Sequence, residues 1–279
     1  TMMNNARLGV GVQGIGAAEG AYQHALAYAI ERKQGKAAGT GAIVEHADVR
    51  RMLAGMKADI FAARAIALMN AVAIDMAVAT GDDAWRARAA FLTPIGKAFG
   101  TDVGIDVANT GVQVHGGMGF IEETGAAQYS RDVRVTAIYE GTNGIQAMDL
   151  VARKLMDGGE AAFAILDEIE ANAEAAKAAL PDLAQAVWNA AETLRETTEW
   201  LVEQDLTDRF AGAVPYLRAF ARVLGGHAHL SAAMAGDGAR ARLATFYINS
   251  LLPEHGALLA QTREGAADLM AISADDLGA

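Results

Sequence analysis

The sequence predicts an all-α protein, an antiparallel four-helix bundle over residues 1–158 followed by a second helical bundle over residues 159–279. Three observations carry that expectation. Only 4 prolines occur in 279 residues, so few positions break a helix. Alanine, leucine, methionine and glutamate, all strong helix formers, are abundant. Apolar residues recur at steps of three and four, and no segment alternates convincingly with the period of two that a strand requires.

The elements follow in order. Leu8, Val12, Ile15, Ala18, Tyr22, Leu26 and Ala29 form one apolar seam and define a first helix. Leu53, Met56, Ile60, Ala63 and Ala67 define a second. Leu92, Ile95, Phe99 and Val103 define a third, with Thr93-Pro94 expected near its start, and Ile145, Met148, Ala152 and Leu155 define a fourth. Narrow seams on four successive helices suit an antiparallel bundle. Val133, Val135 and Ile138 come nearest to a strand pattern. Asp157-Gly158-Gly159 then breaks the periodicity, and the chain beyond is acidic and alanine-rich. Leu183, Val187, Ala190, Leu194 and Leu201 mark a helix after Pro181. Tyr216, Phe220, Val223, His227, Leu230 and Met234 mark another. A last helix or pair spans about 239–271, split or kinked by Pro253.

Composition narrows the chemistry. A net charge of −11 argues against nucleic acid as the main partner, because phosphate binding needs a basic surface. With no cysteine in the chain, disulfides, thiolate metal sites and thiol nucleophiles are excluded, and a cytoplasmic location fits. No uninterrupted apolar run reaches the ~18 residues of a membrane span, so no transmembrane segment is expected. Thr1-Met2-Met3-Asn4-Asn5 has no signal-peptide pattern and reads as an entry into the middle of a longer protein.

Two motifs have structural readings. Gly9-Val-Gly11-Val-Gln-Gly14 matches the dinucleotide fingerprint by letter, but that fingerprint needs a strand before it and a turn within it. Here the glycines lie inside a helical seam, where small residues let two helices approach. His227 and His229 are two residues apart and point to different helix faces; no metal site is expected, and His227 reads as a satisfied core residue.

Two other stretches point to ligands. In Gln113-Val-His-Gly116-Gly117-Met-Gly-Phe120, glycines end a helix and free backbone to approach a phosphate; an ordinary helix terminus is the alternative. In Ile138-Tyr139-Glu140-Gly141-Thr142-Asn143-Gly144, a carboxylate sits between an apolar run and a break before a helix. Apolar surroundings favour the protonated form of a carboxylate, which suits a general base; a helix-capping acid on a solvated loop is the alternative.

Taken together, Ile138-Tyr-Glu-Gly-Thr-Asn143, Gln113-Val-His-Gly-Gly-Met-Gly-Phe120, Tyr28-Ala-Ile-Glu-Arg-Lys-Gln-Gly35 and Val44-Glu-His46 resemble the acyl-CoA dehydrogenase family over about residues 3–157. That family has an N-terminal helical domain, a middle β-domain and a C-terminal four-helix bundle. Residues 1–158 resemble the last part, and the first two are absent from this sequence. The region from 159 resembles the extra helical domain of larger members, such as methylthiopropanoyl-CoA dehydrogenase-like enzymes.

The resemblance implies α,β-dehydrogenation of an acyl-CoA thioester to a trans-2-enoyl-CoA, with FAD as cofactor and Glu140 as the α-proton base. It places Arg32 and Gln34 at the diphosphate of a neighbouring subunit's FAD and Gln113, Val114, Gly116 and Gly117 at the nucleotide end of the same cofactor, with His46 also among the cofactor-binding residues. Thr142 and Asn143 would touch the flavin of their own subunit. Asn4, Arg7, Tyr139, Gly141 and Arg153 would contact the acyl-CoA. Ala47 stands where relatives often have glutamine, Asn4 where they often have aspartate, and Arg153 is one residue further along than the family arginine. The resemblance also implies an electron-transfer flavoprotein as acceptor and a homodimer or homotetramer. The chain alone is expected to be inactive. A non-catalytic helical interaction module and a related flavoprotein with other substrates are the competing functions.

Overall fold

The computed structural model describes residues 2–36 and 38–278. Its helices, in chain order, are α1 (Met2–Glu31), α2 (Ala47–Thr80), α3 (Asp83–His115), α4 (Gly117–Phe120), α5 (Ala126–Val133), α6 (Asn143–Arg153), α7 (Glu160–Ala176), α8 (Pro181–Glu203), α9 (Leu206–Ala211), α10 (Ala213–Ala235), α11 (Gly238–Ser250), α12 (Glu254–Arg263), α13 (Ala267–Ala271) and α14 (Ala274–Gly278). Among the described residues the sole strand-like pairing is an isolated antiparallel bridge between Lys33 and Ala42.

Helices α1 and α3 run side by side in the same direction and touch through glycine. A Cβ on Gly11 would lie 2.7 Å from Gly96 O, and one on Gly14 would lie 2.6 Å from Gly100 O. A Cβ on Gly104 would in turn lie 2.8 Å from Gly14 O. These separations leave no room for a methyl group, so the close-packing reading of Gly11 and Gly14 holds, while Gly9 faces open space. Further along, Tyr28 stacks on His115 with ring centroids 4.4 Å apart. Helix α2 runs the other way against α3, with Asn70 Nδ2 3.3 Å from Thr93 Oγ1. Helix α6 runs back along α1: Tyr139, just before it, reaches Gln13, and Asp149 within it reaches Arg7.

The second lobe packs around α10. Phe220 meets Phe91 of α3 edge to face, with centroids 4.9 Å apart, so one apolar core runs through both lobes. Arg222 donates to Asp59 of α2 and to Glu254 of α12, tying the lobes with a buried charge cluster. His229 Nε2 lies 3.1 Å from Ala58 O and its ring stacks on Tyr247. His227 Nδ1 lies 3.2 Å from Asn172 Nδ2, so this core histidine is satisfied by a neighbouring helix.

Several sequence expectations need correction. Helix α3 begins at Asp83, capped by the Asp82 carboxylate accepting from Ala84 N at 2.8 Å, so Pro94 sits well inside the helix rather than near its start. The inward face of α6 is Gln146, Ala147, Asp149, Leu150 and Val151; Ile145 and Met148 face out, because polar anchors occupy the buried stripe. Val12 and Met234 are likewise exposed. Val133 and Val135 lie in helical turns. Helix α2 is long and apolar enough to cross a membrane by length and composition, a test that a bundle's core helix also meets; Leu53, Met56, Ile60 and Ile66 point into the bundle core.

Because Gly14 meets backbone rather than a yielding side chain, Gly14→Ala must push α1 off α3. Overpacking of this kind costs about 1–3 kcal/mol or more. Thermal unfolding is expected to show that loss, whereas Gly9→Ala, at an open helical position, leaves stability unchanged or slightly raised.

Candidate functional site

The site is built on the segment between α5 and α6. Val133 to Ala137 continue α5 as a tight turn, in which Thr136 Oγ1 donates to Val133 O at 2.7 Å. The chain then reverses at Glu140. Its φ is 56°, and it is the sole non-glycine residue with positive φ among those described; Gly141 follows at φ 87°. The left-handed region costs an L-residue about 1–2 kcal/mol, so neighbouring contacts must impose it.

Those contacts come from α3 and α6. Lys97 Nζ donates to Gly141 O at 2.9 Å and to Asn143 Oδ1 at 2.8 Å. Gln146 Nε2 donates to the carbonyls of Glu140 and Gly141, each at 3.2 Å. Asn143 Nδ2 donates to Asp102 Oδ1 at 2.6 Å and to Thr101 Oγ1 at 2.9 Å. Thr142 caps α6 by accepting from Ile145 N at 3.4 Å. Burial pushes the Lys97 ammonium down to about 8, and burial also pushes the Asp102 carboxyl up. The loop carbonyls are therefore held by α3 and α6, and Glu140 itself is half-buried.

Exposed apolar groups flank Glu140. Ile138 and Ile145 keep about half their surface, and Tyr139 is partly exposed with its hydroxyl on Gln13. Arg7 lies close by, with Nη2 3.9 Å from where a Cβ on Gly141 would be. Its Nη1 is 3.3 Å from Asp149 Oδ2, while Arg153 Nε is 3.0 Å from Asp149 Oδ1. Both arginines assigned to acyl-CoA thus meet on one carboxylate. Asn4 sits one turn before Arg7, half-buried.

A second cluster gathers at the C-terminal ends of α1 and α3. Arg32 is exposed, and its described contact is a 3.3 Å bond from Nη2 to Gln34 Oε1. His46 Nε2 lies 2.9 Å from Gln34 O, and Ile43 N closes onto Arg32 O at 2.8 Å, bringing the described residues on either side of this loop together. Gly116 ends α3 at φ 61° and ψ −140°, and neither it nor Gly117 has an atom within 4 Å of a built Cβ. This open glycine turn lies at the same end of the bundle as Arg32, which has no carboxylate partner among the described residues, and the pair fits a diphosphate: backbone can approach closely and the guanidinium can donate twice. Thr101, under the Glu140 loop, is 15 residues before Gly116 on α3, which at 1.5 Å per residue separates the clusters by about 22 Å.

Some assigned side chains point elsewhere. Val114 is buried in the core, leaving its backbone alone to face the glycine turn. Asn143 faces inward and braces the loop rather than lining its outer side. Arg153 lies at the far end of α6 with most of its side chain in solvent. Lys97, Gln146, Asp102 and Gln13 were not anticipated. A lone lysine inside the apolar run Thr93–Phe99 was the available signal for Lys97, since lysine is almost never fully buried unless paired.

Comparison with known proteins agrees with this architecture. Residues 1–156 match the family model "Acyl-CoA dehydrogenase, C-terminal domain", and residues 165–273 match "Acetyl-CoA dehydrogenase C-terminal like". The chain belongs to the acyl-CoA dehydrogenase family. It is 43% identical over 231 residues to a 3-methylmercaptopropionyl-CoA dehydrogenase of Ruegeria pomeroyi, an alignment covering 77% of this chain and 39% of that protein. It is 37% identical over 169 residues to a butyryl-CoA dehydrogenase of Syntrophomonas wolfei, covering 57% of this chain and 28% of that one. The chain therefore spans well under half of these relatives' lengths. The fold matches a Bacillus anthracis acyl-CoA dehydrogenase complexed with FAD, with TM-score 0.75 at 20% identity over 99% of this chain and 50% of that one. It also matches Caenorhabditis elegans ACDH-11 in complex with C11-CoA, with TM-score 0.77 at 20% identity over 88% and 42%.

Asn143→Ala would leave Lys97 and Asp102 each short of a buried partner. A loss on the order of 3 kcal/mol is expected in chemical denaturation; an unchanged midpoint would mean that the inward network carries no stability.

Proposed function

We propose that this chain is the C-terminal part of an FAD-dependent acyl-CoA dehydrogenase, and that Glu140 is the base that removes the α-proton of the acyl thioester. One observation carries the assignment: Glu140 alone among the described non-glycine residues is held at positive φ, by bonds to its own and the next carbonyl. Strain of this kind is kept where surrounding structure over-determines it, as at working sites. A capping acid would need no such support.

The chemistry follows from the groups present. The Glu140 carboxylate takes a proton from the α-carbon, and the β-hydrogen departs with its electron pair. Bound FAD would supply the two-electron acceptor, and the product is a trans-2-enoyl-CoA. The exposed apolar residues beside Glu140 would exclude water from the acyl chain, and Arg7 and Asn4 would meet the CoA portion. Thr142, exposed at the start of α6, would face the flavin of its own subunit. Arg32, Gln34, His46, Gln113, Gly116 and Gly117 would hold the diphosphate and nucleotide end of FAD. Their distance from Glu140 supports assigning them to the cofactor of a neighbouring copy, so the working unit is a homodimer or a dimer of dimers. The name of the Ruegeria pomeroyi relative favours a short, sulfur-containing acyl group. Electron-transfer flavoprotein is the acceptor the family resemblance implies. The 279-residue chain alone, carrying half of each composite site, would bind FAD weakly and turn nothing over.

In the full natural protein, Glu140→Gln is expected to keep its flavin and lose acyl-CoA oxidation by a factor of about 10²–10⁴, the usual contribution of a general base. Assay of acyl-CoA-dependent flavin bleaching checks this. Normal bleaching by the variant would remove Glu140 from the mechanism.

A further inference from the structure

Lys97 is the one fully buried lysine among the described residues. An ammonium costs several kcal/mol to desolvate, and a methionine would fill the same space between α1 and α3 without that cost. Yet no described carboxylate pairs with it directly; Asp102 is reached only through Asn143. Two of its N–H groups go instead to Gly141 O and Asn143 Oδ1. The carbonyl it grips belongs to the Gly141–Thr142 peptide, one peptide beyond Glu140, so it anchors the turn within which Glu140 holds its positive φ. Gln146 pulls on the same carbonyl from α6. The charges facing Lys97 are Asp102 on its own helix, Arg7 on α1 and Glu140 on the loop; Asp102 and Glu140 favour the ammonium, and Arg7 opposes it.

We propose that Lys97 is a positioning residue that holds the turn keeping Glu140 in its left-handed conformation and so sets where its carboxylate meets the bound acyl thioester. The role rests on Glu140 being the base. A misplacement of about 1 Å at a reacting group can cost 10²-fold in rate, so loss of the bond that anchors this turn is expected to act on the chemical step.

The test uses Lys97→Met and Lys97→Gln in the full natural protein, with Glu140→Gln as reference. For Lys97→Met, kcat should fall on the order of 10²-fold while the acyl-CoA KM moves less than about threefold and flavin content is unchanged, the pattern of an interaction needed in the transition state. Lys97→Gln, which retains a donor toward Gly141 O, should fall between the two. A Lys97→Met kcat within about threefold of the parent overturns the proposal; a dead Glu140→Gln beside it shows that the base assignment survives. A second readout does not involve catalysis. A glutamate-specific endoprotease acting on the 279-residue chain should release fragments ending at Glu140 faster from Lys97→Gln than from the parent. Equal cleavage overturns the proposal, and this measurement decides the matter if Lys97→Met does not fold.

Discussion

Backbone contact between α1 and α3 is the constraint on which the site depends. Two stretches of glycine, Gly11 and Gly14 on one helix and Gly96, Gly100 and Gly104 on the other, bring main chains together without intervening side chains. That closeness decides what can lie over the pair. Arg7 and Gln13 of α1 and Lys97, Thr101 and Asp102 of α3 then form one platform, and the loop around Glu140 rests on it. Larger residues at the glycines would spread the helices and separate the groups that grip the loop from the groups beside it.

The same geometry sorts the functional residues into two places. Parallel α1 and α3 end together, which collects Arg32, the loop to His46 and the Gly116 turn at one pole. Glu140 lies roughly midway along the same helices. A single chain thus carries the proposed base at one location and the proposed diphosphate-binding surface at another. Two copies arranged about a twofold axis would each lend one surface to the other's site, the simplest closed arrangement for an oligomer. The second lobe covers α2, α3 and α6 with an apolar face and secures them with Arg222 between Asp59 and Glu254.

Much of the fold was legible in the sequence, because helical periodicity survives burial: the seams of α2, α8 and most of α10 point inward as their spacing predicts. The misreading of α6 has a specific cause. Its buried stripe carries Gln146 and Asp149, polar residues that bond to the loop and to Arg7, so the apolar pattern alone selected the wrong face. Motif order was enough to single out Glu140, Gly116 and Arg32. It was not enough to find Lys97 or Asp102, whose importance arises from partners more than 40 residues away in sequence. Local pattern reports what a residue is beside; long-range hydrogen bonds are set by packing.

A crystal structure of the full natural protein with FAD and an unreactive acyl-CoA analogue would test the account most directly. It should show Glu140 at positive φ with its carboxylate in contact with the thioester α-carbon, and Arg32 of a second copy on the diphosphate of that same flavin. A Glu140 carboxylate turned away from the thioester, or an Arg32 remote from every flavin, would contradict it.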